Sequence, residues 1–385
     1  MPFVTSKPTP RYQQTVLWSD MFDNLSDVAA PERRPYNPSN TRTIFKDFIF
    51  FPGMNEMLDG YVQALRQFNE TWQPRFEGDL HEQYYSFQIP KRSGGWRRIN
   101  APNDTLKEAQ RALAGIFENT FGALYHTSAF AYIKHRSTID AIKKHQTNES
   151  RWFLKLDFHD FFGSTTPEFV MSMFSQIWPF SGIVTRPGGR DQLALALSLC
   201  FLDGGLPQGT PISPLLTNIM MIPIDHSMFN GLQNFDDGEH DMHLVYTRYA
   251  DDMLISGKIG FRFRAVIDYL KSVLAMYGAP FSLNETKTRY ASSAGSNWNL
   301  GLMLNKDNEI TIGHKNKEML KSMLCHYIND SRSGSRWELS DVQALAGKIS
   351  YFRMVEPSGV DRIIASYNAK FGVDIMAKIK ADISM

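Results

Sequence analysis

The sequence predicts an α+β fold that ends in a purely helical segment. Runs of large apolar and β-branched residues at 83–100, 151–158 and around 246–257 read as strands. Between them lie stretches with apolar residues at helical spacing. After residue 315 the texture changes, and "NKEMLKSMLCHYIND", "LSDVQALAGKISYFRMV" and "GVDRIIASYNAKFGVDIMAKIKAD" follow as three amphipathic helices.

Residues 1–50, rich in Pro, Ser, Thr and Arg, read as an irregular arm. Met57, Tyr61, Leu65 and Phe68 share one helical face over 55–72. "QYYSFQIPKRSGGWRRIN" reads as two strands joined around Gly94-Gly95, followed by a helix over 104–121 with Asp104 as its N-cap. "RWFLKLDF" (151–158) is a strand, and helices follow at 166–177, with Pro167 in the first turn, and at 190–203. A third helix, 213–229, has Ser213 as its cap and an interruption at Pro223. A hairpin carrying Asp251-Asp252, a helix at 261–278 and short strands near 287–291, 299–304 and 309–312 precede a boundary near 313–316.

The 385 residues have ordinary globular composition and a net charge of +1. Cys200 and Cys325 are too few for a disulfide framework, and no zinc-type Cys/His spacing is present. The N-terminus lacks an apolar secretory region and no apolar stretch reaches the ~20 residues of a spanning helix, so a cytoplasmic protein with no membrane partner is expected. Charge is nevertheless clumped: 90–102 and 132–145 are basic and 235–241 acidic, a segregation that suits a polyanion.

"YTRYADDMLISG" (246–257) sets two adjacent carboxylates where the flanking pattern wants a buried hairpin. Asp suits turns, which is the plain alternative. Asp157, ending "FLKLDF", supplies a third carboxylate, and three acids brought together would raise one another's pKa unless cations intervened. Mg²⁺ takes oxygen ligands from one or two carboxylates plus substrate phosphates, and a pair of such ions suits in-line phosphoryl displacement.

"YADD" after a β-run, with "LKLDFHDFF" upstream, resembles the palm of a reverse transcriptase. "RRINAPNDTLKEAQRAL" (97–113), "AFAYIKHRSTIDAIKKH" (129–145) and "LPQGTPISPLLTNI" (206–219) resemble the first, second and fourth blocks of the bacterial enzymes. "LNETKT" (283–288) and "NLGLMLN" (299–305) are similar to the sixth and seventh. The texture is that of the retron-like, defence-associated branch (abortive-infection or antiphage). "DAIKKH" is similar to the retron Asn-Ala-x-x-His element, with Asp140 at the Asn position.

The resemblance implies a right-hand polymerase fold: fingers over 51–150 with an N-terminal helix, a palm over 151–313 with a fingers insertion near 180–215, and a helical thumb over 314–385. It implies RNA-directed DNA synthesis with two Mg²⁺ ions, Mn²⁺ being a substitute, on Asp157, Asp251, Asp252 and the backbone of Phe158. Lys287 is the candidate general acid for pyrophosphate, which requires a tuned pKa. Phe162 would exclude a 2′-hydroxyl, whereas an RNA polymerase places an Asp there; here Asp160 stands two residues earlier. Gln208 and Gly209 would touch the nucleotide, and Lys91, Arg97 and Arg98 the triphosphate. Tyr249, Met253, Gly301, Lys348 and Arg353 are candidate nucleic-acid contacts. His135 and His145 carry a weaker signal.

Partners implied are dNTPs, the DNA product and a template RNA, expected to be a structured non-coding RNA encoded nearby. An effector protein or a second copy of the chain is a further candidate. No segment is expected to supply an RNase H domain. The competing readings are a template-independent or protein-primed DNA polymerase, an RNA-dependent RNA polymerase, and an inactive RNA-binding module.

Overall fold

The computed structural model describes residues 53–91, 94–121, 125–293 and 302–384. The arm at 1–50 and Gly301 lie outside them. Helix α1 (Met54–Trp72) buries Tyr61, Leu65 and Phe68 of the predicted face together with Leu58, while Met57 is half-buried. A hairpin follows, β1 (Tyr84–Pro90) against β2 (Trp96–Pro102), and its tip places Gly94 and Gly95 at positive φ. Helix α2 (Asp104–Phe121) begins where expected, but its cap is Asn103: that side chain accepts from the Leu106 N–H at 2.9 Å.

Helix α3 (Thr138–Thr147) opens with a capping box between Ser137 and Asp140. Asp140 thus serves the helix end. His145 on the same helix is fully buried against the central sheet, its ring nitrogens 2.6 Å from Ser256 Oγ and 2.8 Å from Thr247 Oγ1. That is a packing role, and His135 stands in an exposed loop at φ 64°.

Strand β3 (Trp152–His159) is the centre of the sheet. β6 (Val245–Tyr249) and β7 (Asp252–Gly257) lie on one side of it, in the order β6-β7-β3, while β8 (Ser282–Leu283) and β9 (Arg289–Ser292) pair with its other edge. Being covered on both sides, β3 reads as an almost unbroken apolar run instead of an alternation. Helices α4 (Pro167–Phe174), α5 (Phe180–Ile183) and α6 (Gly189–Ser198) follow β3, and α1 packs on α6. α6 ends four residues after Ala194, short of the expected 203, and the Gln110 amide takes up the Leu199 carbonyl at 3.0 Å.

The segment 213–229 forms two helices, α7 (Ser213–Met220) and α8 (Ile222–Gln233). Pro223 sits in the first turn of α8, where its missing N–H costs nothing, so the break falls at Met221. Ser213 is already inside α7, and its hydroxyl donates back to the Pro207 carbonyl at 3.0 Å. The short ribbon β4 (Phe235–Asp236) and β5 (Asp241–Met242) precedes β6, and α9 (Phe263–Tyr277) follows β7.

After β10 (Met303–Leu304) and β11 (Ile310–Thr311), four helices close the described chain: α10 (Gly313–Arg332), α11 (Leu339–Val355), α12 (Pro357–Phe371) and α13 (Ile375–Ser384). The sequence reading had joined the last two. Gly372 at φ 64° ends α12 with a left-handed cap. The four helices share a core with Ile142, Phe153 and Leu254 of the sheet region, separate from the main core beneath α1, α2 and α9.

Burial holds three histidines, His126, His145 and His226, at pKa about 3, below their ordinary 6.5. They are neutral in the fold, and only the unfolded chain takes up protons as pH falls below 6.5. Stability should therefore drop on acidification through that range, by about 2 kcal/mol per histidine near pH 5. Thermal melts at about pH 7.5 and pH 5 check this: the acidic midpoint should be the lower, and His145→Asn should shrink the difference.

Candidate active site

Strands β3 and β7 run antiparallel with Asp157 directly opposite Asp252. Asp251 is the second residue of the two-residue loop joining β6 to β7, which the Tyr249–Asp252 pair closes. Ala250, the first loop residue, has φ 58°, in the region where such loops normally carry Gly. The Phe158 N–H donates to the Asp251 carbonyl at 3.3 Å and ties the loop to β3, while the Phe158 ring lies in the core. Three carboxylates thus share one end of the sheet.

Asp157 is buried, and Asp251 and Asp252 are half-buried. Burial, then the charges of Asp157 and Asp252, raise the Asp251 carboxyl above its usual range. Burial raises Asp252 as well, against the opposing pull of Lys155, whose ammonium lies 2.9 Å from it. Lys287 Nζ lies 2.8 Å from Asp157 Oδ1. Burial pulls the Lys287 ammonium down, but the bond to Asp157 and the charges of Asp157, Asp251 and Asp252 together outweigh it, and the group ends above its usual range. In this geometry Lys287 is a counter-ion to Asp157.

Three carboxylates against two ammoniums leave one negative charge over. Among the described residues no three ligating side chains converge closely enough to enclose a cation by themselves. A carboxylate site open on one side fits Mg²⁺, which completes its shell with water and substrate phosphates.

Phe162 sits half-buried against the main core. Its carbonyl accepts from the N–H of Leu206 at 2.9 Å, which joins it to the "PQG" loop. Asp160 is exposed at φ 44°, in the turn before Phe162. The Gln208 carbonyl accepts from the Asn100 N–H of β2 at 2.8 Å, so the same loop grips the hairpin. Gly209, at φ 113°, passes so close to β2 that a Cβ would lie 2.8 Å from Ile99 Cγ2 and 3.1 Å from the Asn100 carbonyl. Alternation puts Arg97 and Arg98 on opposite faces of the hairpin. The charges of Arg97 and Asp251 both act on the Tyr132 hydroxyl. Arg98 lies 3.5 Å from Ser86 Oγ, and Lys91 is exposed at the hairpin tip.

Several expected contacts fall elsewhere. Met253 is fully buried in the core, because it alternates with Asp252 across the strand. Arg353 pairs with Asp361 at 2.8 Å, and Lys348 Nζ lies 3.8 Å from Met319 Sδ, so both have partners within the helical segment. Tyr249 is half-buried, and burial raises its hydroxyl above the usual range. Three residues escaped the sequence reading. Lys155 could have been found as the one charge inside "FLKL", two residues before Asp157 and so on its face. Tyr132 is exposed at φ 60°, a conformation without a local sequence signal. Arg248 was hidden in a strand, where a charge reads as solvent-facing.

The family model described as reverse transcriptase (RNA-dependent DNA polymerase) matches residues 89–320, more than half of the chain. The chain belongs to the reverse transcriptase family. It is an RNA-directed DNA polymerase with the right-hand fold, and as such takes an RNA template and makes a DNA product. It is 27% identical over 287 residues to the retron Ec73 reverse transcriptase of Escherichia coli, covering 73% of this chain and 86% of that one. With the retron Ec83 reverse transcriptase of the same organism it shares 25% over 309 residues, covering 77% and 89%. A solved structure of telomerase from Candida albicans, in complex with a fragment of telomeric RNA, aligns with a TM-score of 0.44 at 10% identity, over 83% of this chain and 70% of that one. Enzymes of this family use divalent metal ions, which the open acid site fits. Among the described residues no helix is long and apolar enough to cross a membrane.

Gly209→Ala tests the tight seat of the loop on the hairpin. The added methyl must push Ile99 or the β2 backbone away and sits at a strained φ, so dNTP incorporation per enzyme should fall by about 10²-fold and the melting temperature should drop by a few degrees.

Proposed function

We propose that this reverse transcriptase copies a dedicated, structured RNA encoded nearby into DNA, in the cytoplasm, as part of an antiphage defence system with an effector protein or a second copy as further partner. The observation that carries the chemical part is the register of Asp157 against Asp252 with Asp251 in the adjoining loop. The likeness to retron reverse transcriptases over most of both chains supports the dedicated RNA.

In this reading 51–150 and the stretch near 180–215 act as fingers, 151–313 as palm and 314–385 as thumb. Asp157, Asp251 and the Phe158 carbonyl would hold two Mg²⁺ ions, or Mn²⁺, with Asp252 at the edge. When bound, the ions supply charge stabilisation for the attacking and leaving oxygens. The chain's own residues do the rest. Arg97 and Lys91 bind the triphosphate. Gln208 and the backbone of Gly209 line the nucleotide, and Phe162 lies under its sugar, where a 2′-hydroxyl would collide. Lys287 and Lys155 hold Asp157 and Asp252 in place. A primer hydroxyl then attacks the α-phosphate and pyrophosphate departs.

The decisive experiment is purification from the host locus, sequencing of the bound RNA, and addition of Mg²⁺ and labelled dNTPs. The expected product is DNA complementary to one discrete RNA; DNA matching no template would reject the dedicated-template reading. Asp251→Asn with Asp252→Asn should lower incorporation by at least about 10³-fold, and wild-type activity in that variant would reject the acid assignment. For the gate, Phe162→Ala should raise relative rNTP use by roughly 10- to 100-fold in competition assays.

A further inference from the structure

Arg248 is a charged residue with no exposed surface, on the strand leading into the acid-bearing loop. Its guanidinium forms a two-pronged pair with Asp225 of α8: Nε is 2.8 Å from Oδ1 and Nη2 2.7 Å from Oδ2. Asp225 is equally buried and also accepts the Tyr246 hydroxyl at 2.8 Å. Two donors of Arg248 reach beyond that pair. Nη1 donates to the Ala250 carbonyl at 3.1 Å, and Nη2 to Asn218 Oδ1 at 3.3 Å.

Those two bonds lead to two neighbouring segments, the acid-bearing loop and the stretch that carries Tyr132. Ala250 is the left-handed residue immediately before Asp251. The Asn218 amide donates to the Ala131 carbonyl at 2.8 Å, immediately before Tyr132, which is also left-handed. The backbone of Arg248 holds the same segment: its N–H donates to the Ser128 carbonyl at 2.7 Å, and its carbonyl accepts from Phe130 at 2.9 Å. Two backbone positions that side chains seldom adopt thus hang from one buried cation. Tyr132 itself stands 58% exposed, toward Asp251 and Arg97.

We propose that Arg248, clamped by Asp225, is a positioning residue that sets the acid-bearing loop and Tyr132 in one registration, with Tyr132 forming the nucleotide-facing arm. The inference rests on the polymerase reading of the acids. Stability alone would not require an ion pair here, since buried pairs can often be replaced by apolar residues of similar volume without loss. The reach of Nη1 to the Ala250 carbonyl and of Nη2 to Asn218 supplies the reason for a guanidinium.

Three variants separate positioning from folding, with Asp251→Asn assayed beside them. Arg248→Lys keeps the charge and loses the fork; it should lower kcat by about 10²-fold and raise the Mg²⁺ concentration for half-maximal rate. Arg248→Met with Asp225→Leu and Tyr246→Phe removes every polar group of the pair but leaves Ala250 and Asn218 short of a donor; it should still fold cooperatively, melt a few degrees below wild type and stay as impaired as Arg248→Lys. Asn218→Ala cuts only the Tyr132 branch, so KM for dNTP should rise with the Mg²⁺ requirement unchanged. A triple variant with wild-type rate and Mg²⁺ requirement, or an Arg248→Lys enzyme with both unchanged, would overturn the proposal. Full activity in Asp251→Asn would instead strike at the reading of the acids.

Discussion

Carboxylates held at one end of a sheet repel one another, and much of this molecule answers that repulsion. The antiparallel register of β3 and β7 sets Asp157 against Asp252, and the hairpin loop adds Asp251. Burial intensifies the conflict by stripping solvent from the charges, which is why Asp251 and Asp252 hold their protons more tightly than usual. Lys155 and Lys287 offset part of it from either flank. What remains is a deficit of positive charge on the open side, where cations and phosphates complete the balance.

The rest of the cleft is fastened to that point by backbone bonds. The Phe162 carbonyl accepts from Leu206, the Gln208 carbonyl from Asn100, and the Asp251 carbonyl from Phe158, so Phe162, the 206–209 loop, the β1–β2 hairpin and the acids are joined through main-chain atoms. Main-chain joints tolerate side-chain change and hold position closely, as a site aligning a sugar, a phosphate and a primer demands. The narrow seat of Gly209 on Ile99 has the same origin.

Much of this was legible beforehand because it rests on local pattern. The apolar run of β3, the Gly94-Gly95 turn and the amphipathic faces of α1 and α10 each declare themselves within a dozen residues. The acids were legible because adjacent carboxylates in an apolar hairpin violate the local pattern, and violations point to function. What escaped depended on partners distant in sequence. Met253 was placed on nucleic acid by adjacency to Asp252, when strand alternation sends it into the core. Asn103 displaced Asp104 as cap by one residue, a choice set by chain entry. The neighbours of Lys348 and Arg353, Met319 and Asp361, likewise come from elsewhere in the helical segment.

Arg248 shows most clearly why a strand charge can mislead. Alternation along β6 sends Tyr246 and Arg248 to one side and Thr247 to the other, and helices cover both faces. With no solvent on either side, a cation survives only beside an anion, and Asp225 lies twenty-three residues away on a different element. No window of sequence contains that pair. Once formed, it fixes the direction of the remaining guanidinium donors, and those directions fall on Ala250 and Asn218. The metal-facing loop and the stretch that carries Tyr132 are therefore set by one buried charge whose placement only the assembled fold reveals.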